Sequence, residues 1–105
     1  MSIENAIKEI VIEKVLSGKI FDSHFVINYL ISDHSDEYLL FASELINSRK
    51  ATEQGDITAY VHSRISKKIG ESSLVTRVEL NGEKEEFWSD NIRGNANECA
   101  GWRKK

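Results

Sequence analysis

The sequence predicts an α+β domain: three to four helices, then a C-terminal β-hairpin, then an irregular tail that docks on the body. Three observations carry this. Apolar side chains recur at three- and four-residue spacing through about the first seventy positions, the period of half-buried helices. Asn81-Gly82 then interrupts a run of strand-forming residues between Ser73 and Trp88, and both central residues of a type I′ hairpin turn need the positive φ that this dipeptide tolerates best. Finally, 105 residues with 40% apolar content suffice for one core without staples, so residues 1–105 are expected to form a single domain.

The first helix is expected from about Ile3 to Leu16. Ser2 can cap it, and Ile3, Ile7, Ile10, Val11 and Val15 form one face. Gly18 ends it by taking the left-handed conformation. Asp22 caps a second helix starting near Ser23, with Phe21 and Val26 at the two positions of a hydrophobic staple. Ser32–Ser35 breaks the pattern, and Ser35 can cap a third helix whose inner stripe is Tyr38, Phe41, Ala42 and Leu45, widened by Leu39 and Ile46. The caps favour two helices here over one bent helix. The polar stretch 47–55 reads as a loop. A fourth helix follows, starting after Thr52 or near Asp56, with Ile57, Val61, Ile65 and either Lys68 or Ile69 inside and His62, Lys67 and Arg64 outside. Gly70 stops it.

In the hairpin a two-residue turn sets Glu79 opposite Lys84, Arg77 opposite Glu86 and Val75 opposite Trp88, two charge pairs and one apolar pair that support the register. Helices ahead of a single hairpin make the expected arrangement winged-helix-like. After Trp88 no period survives, and Ile92, Cys99 and Trp102 are expected to dock irregularly.

The formal net charge of −3 is unevenly spread. Residues 1–46 carry three basic and eight acidic groups, residues 47–70 five basic and two acidic, and residues 71–105 six basic and seven acidic. A mildly basic middle can meet phosphate, but the whole molecule repels a polyanion. No stretch approaches the roughly 18 apolar residues of a membrane span, the N-terminus lacks a signal-peptide pattern, and the single Cys99 makes no internal disulfide. A cytoplasmic location is expected, with no membrane partner.

The residues suggest four chemistries. Nucleic-acid binding would use the fourth helix through Thr58, His62, Arg64 and Lys67, with Arg49 and Lys50 on phosphates; the acidic hairpin, Glu83 to Glu86, opposes it. A metal site needs ligand spacing that His24, His34 and His62 do not have, and capping explains Asp22-Ser23-His24 more simply. Cys99 with a histidine base would make a thiol hydrolase, but an inert thiol among small neighbours is the simpler reading. Protein association draws on Phe87, Trp88, Ile92 and Trp102, bulky groups in an otherwise polar segment. No catalytic residue and no cofactor is expected.

Ile20-Phe21-Asp22-Ser23-His24, Trp88-Ser89-Asp90-Asn91-Ile92-Arg93-Gly94-Asn95 and Glu98-Cys99-Ala100-Gly101-Trp102 together resemble a group of short uncharacterised bacterial proteins, some similar to reading frames on integron and other mobile gene cassettes. The resemblance spans nearly the whole chain. It implies a bacterial, cytosolic, single-domain protein, and it carries over no functional residue because the group has no assigned activity. The expectation is therefore a non-enzymatic module that binds another protein or itself through the hairpin and the aromatic tail. A DNA-binding regulator is the alternative and a small thiol hydrolase the third reading.

Overall fold

Side-chain caps set the starts of three of the four helices. The computed structural model describes residues 1–48 and 56–105. Helix α1 is Ile3–Lys14, where Ser2 Oγ accepts the Asn5 N–H at 3.1 Å. Helix α2 is Ser23–Asp33, capped by Asp22 Oδ1 on the Phe25 N–H at 2.9 Å. Helix α3, Ser35–Ser48, follows after the single residue His34, so there are two helices rather than one bent one. Helix α4 is Ile57–Gly70, started by Asp56 Oδ1 on the Ala59 N–H at 3.1 Å. Helix α1 stops two residues short of Leu16: Val15 is its extended C-cap, and Gly18, at φ 83°, turns the chain into a short strand, β1 (Ile20–Asp22).

Five further strands follow α4: β2 (Val75–Arg77), β3 (Glu79–Leu80), β4 (Glu83–Lys84), β5 (Glu86–Asp90) and β6 (Ala96–Lys104). Asn81 at φ 55° and Gly82 at φ 82° make the turn read from the sequence, and Glu79 pairs with Lys84. The ladder then diverges from expectation. Val78 still accepts the Glu85 N–H at 2.9 Å in the expected register, but it donates its own N–H to Gly101 O at 3.0 Å, and from Arg77 back the strand pairs with β6 instead. Val75 pairs with Lys104 and Arg77 with Trp102, while Trp88 pairs with Glu98. Arg77 and Glu86 are not ladder partners, yet they meet as an ion pair at 2.7 Å.

The chief correction concerns the tail. Residues 96–104 are the central strand, not an irregular docked segment. The C-terminal part of β6 is held by β1 and β2, giving the order β1-β6-β2, and its N-terminal part is held by β5. All these pairings are antiparallel. The N-terminal half of β6 forms a local hairpin with β5, Asp90 opposite Ala96, while its C-terminal part is completed by β1 and β2, which lie far away in the chain.

One cluster of buried side chains lies between the helices and the sheet: Ile7, Ile10 and Val11 from α1, Val26, Ile27 and Leu30 from α2, Val61, Ile65 and Ile69 from α4, and Phe21, Val75 and Trp102 from the strands. Helix α3 contributes no fully buried residue; Tyr38, Phe41, Ala42 and Leu45 pack against the cluster, but Leu39 and Ile46 point to solvent and do not widen its stripe. Ile57 is likewise exposed. No helix among the described residues is long and apolar enough to cross a membrane.

Candidate functional site

Beyond the N-terminal ends of α2 and α4 the β5–β6 ribbon runs past the core, and the space between ribbon and helices is a cleft of about 410 Å³. Its floor is apolar, from Ile27, Ala59 and Ala100, and its walls are polar, with His24, His62, Ser66 and Cys99. Asn91–Arg93 and Glu98 stand along its rim.

Each wall is fixed by a separate hydrogen-bond relay. Ser23, the first residue of α2, shares a 2.7 Å hydrogen bond with Ser66 of α4 and accepts the Trp102 indole N–H at 3.0 Å. Next to it His24, only 8% exposed, shares a 2.6 Å hydrogen bond through Nδ1 with Ser89 Oγ, which lies 3.8 Å from Cys99 Sγ. On α4, His62 Nε2 meets the Tyr38 hydroxyl of α3 at 2.9 Å. At the rim, Arg93 clasps Asp56 through Nη1 at 3.2 Å and Nη2 at 3.4 Å. The Arg93 loop is itself shaped by Asn91 Oδ1, which accepts the N–H groups of Arg93 and Asn95.

The electrostatics follow from this packing. Burial, with His24 and Arg93 nearby, holds the His62 imidazole below its ordinary pKa, so it is neutral at pH 7. Burial pushes the Tyr38 hydroxyl up. The Ala59 N–H and then the Arg93 guanidinium hold Asp56 low. Cys99 is pushed above its ordinary pKa by burial, which outweighs the His24 N–H and the Ser89 hydroxyl. A thiol that keeps its proton is a poor nucleophile, and the imidazole nitrogen closest in the relay is engaged by Ser89. Acyl or phosphoryl transfer through Cys99 therefore lacks an activated group. Among the described residues no group of three His, Cys, Asp or Glu side chains could hold a metal ion.

The sequence-derived candidates scatter. Of the four aromatic and apolar anchors, Trp102 is 6% exposed, inside the core, where it offers no surface to a partner. Phe87 is half-buried, its ring lying where a Gly101 side chain would otherwise be. Trp88, 67% exposed, and Ile92 remain at the surface. Of the phosphate-contact candidates, Thr58 and His62 line the cleft and do not face outward, Arg64 and Lys67 are exposed, and Arg49 and Lys50 lie outside the described residues.

Sequence reasoning missed the joint role of His24, Ser66, Ser89 and Arg93. In the sequence, the capping pattern of Asp22 accounts for Ser23 and His24 without a further role. Residues 88–102 carried the only available signal, a dense aperiodic run of polar and small residues that builds the other wall. Comparison with protein-family models, with curated proteins and with solved structures gives no match for this chain.

Proposed function

We propose that this chain is a cytoplasmic, non-enzymatic binding module that takes up an extended, basic segment of a partner protein along β5. One observation carries the reading: Trp88, two thirds exposed, stands mid-way along an edge strand whose outer backbone has no hydrogen-bond partner among the described residues. Such an edge accepts an added strand, with main-chain bonds giving affinity and side chains giving selectivity. Glu86 and Asp90 share the Trp88 face by strand alternation, and Glu98 lies directly opposite Trp88. Two copies pairing antiparallel about Trp88 would set Glu86 against Asp90, a repulsive match. Arg77 already answers Glu86, so a strand carrying Lys or Arg at alternate positions complements Asp90 and the indole face.

The test is fluorescence titration with an alternating lysine–valine octapeptide and its glutamate–valine counterpart. The basic peptide is expected to shift the exposed indole's emission, less so in 0.5 M salt, and to give no shift with Trp88→Phe; Trp102 is buried and contributes a constant background. Equal responses to the two peptides, or none, overturn the reading. Sedimentation showing a dimer that Trp88→Ala abolishes hands the surface to a second copy instead.

The order β1-β6-β2, with α4 leading directly into β2, supports a second, winged-helix-like reading in which α4 contacts DNA. Only Arg64 and Lys67 then remain as outward cations of α4, since Lys68 pairs with Glu4 at 3.0 Å. Salt-dependent retention on duplex DNA, lost in an Arg64→Glu, Lys67→Glu variant, would favour it; passage without retention removes it.

A further inference from the structure

The cleft between ribbon and helices is lined by side chains that the outer edge of β5 does not use, His24, Ile27, Ala59 and His62 among them. Its volume of about 410 Å³ lies in the range of roughly 300–1,000 Å³ usual for small-molecule sites, and it combines an apolar floor with a few convergent polar groups. Two imidazoles line it, and each has one nitrogen already pinned, His24 Nδ1 by Ser89 and His62 Nε2 by Tyr38. The other nitrogen of each ring carries no hydrogen bond among the described residues.

Charge selects among small molecules. Four ionised side chains line the cleft: Asp56, Glu86, Glu98 and Arg93. Arg93 answers Asp56, and Arg77 answers Glu86 from β2. Glu98 has no ion pair among the described residues. With His62 neutral, the uncompensated charge at the rim is a single carboxylate above a floor of Ile27, Ala59 and Ala100.

We propose that this cleft is a binding site for a small organic amine, its ammonium at Glu98 and its body over the apolar floor within reach of His24 and His62. Anions are rejected by Glu98, and bare metal ions by the lack of a ligand cluster among the described residues. The cleft shares the Glu98 side of the ribbon with the Trp88 surface, but His24, Ile27, Ala59 and His62 come from α2 and α4 and not from the outer edge of β5.

Three probes of matched size isolate the charge: benzylamine, benzyl alcohol and benzoate, titrated into uniformly ¹⁵N-labelled protein. Benzylamine is expected to shift the amide and ring resonances of His24, His62 and Cys99, to bind about five- to tenfold more tightly than benzyl alcohol, and to outcompete benzoate entirely, the scale of one exposed charge-assisted contact. In Glu98→Gln the preference for the amine over the alcohol should vanish while alcohol binding stays the same. Ala59 sits on the exposed first turn of α4, so Ala59→Phe should fill the cleft without unfolding the chain and abolish binding of both. Absence of cleft shifts with benzylamine, equal affinity for all three probes, or undiminished binding by folded Ala59→Phe overturns the proposal. Trp88→Ala should leave benzylamine binding intact, which separates this site from the strand edge.

Discussion

Trp102 Nε1 donates to Ser23 Oγ at 3.0 Å, a buried hydrogen bond between residues 79 positions apart that fastens the central strand to the first turn of α2. Ser23 passes the connection on to Ser66 of α4. One hydroxyl thus joins the strand to the two helices whose ends form the cleft.

Removing either end of that bond should cost stability by different routes. Trp102→Ala empties a core site and should destabilise the chain by about 3–5 kcal/mol. Ser23→Ala leaves the indole N–H without a partner and should cost about 1–3 kcal/mol. Urea unfolding at unchanged m-value measures both. A Trp102→Ala loss below that of Ser23→Ala would mean the ring is not core.

Gly101 and Phe87 should behave as a coupled pair. A Cβ at Gly101 would overlap the Phe87 ring, so Gly101→Ala should cost about 1–3 kcal/mol by overpacking. Phe87→Ala removes the obstacle, so the double variant should lose less than the sum of the singles. A four-protein urea cycle reads the coupling, and strict additivity contradicts this packing.

Stability should fall as pH drops below about 6.5, the ordinary histidine value, because His62 is held below it by burial. The sign follows from proton uptake. The unfolded chain protonates His62 first, so it gains protons that the folded chain refuses, and the folded state loses ground until the folded pKa is passed. Above 6.5 both forms are neutral and the contribution is constant. His62→Gln should flatten the slope between pH 6.5 and 5, above the range where Glu4 and Asp56 titrate. Chemical denaturation across that interval checks it.

Cys99 should react slowly with a thiol reagent at pH 7.5. Burial raises its pKa and keeps the thiolate scarce. The rate should rise on the order of tenfold or more in denaturing urea, where the pKa returns toward that of a free thiol. A native rate equal to the denatured one would reopen the nucleophile reading.

What the sequence determined by itself is whatever is closed over a few residues. Helix bonds run from i to i−4 and a cap reaches three residues, so Ser2, Asp22 and Asp56 announce their helices in the sequence, and Asn81-Gly82 announces its turn. The inner faces of α1 and α4 were legible for the same reason, at Ile7, Ile10, Val61 and Ile65. Only the tertiary structure decided the rest. Ala96–Lys104 becomes the central strand because β1 and β2 reach it from 25 to 83 residues away and flank the strand that β5 pairs with as a hairpin, and no local period encodes ladders whose partners are that remote. The cleft was hidden likewise: His24, His62, Arg93 and Cys99 belong to four separate segments, and only their packing around Ser23 and Trp102 brings them to one place.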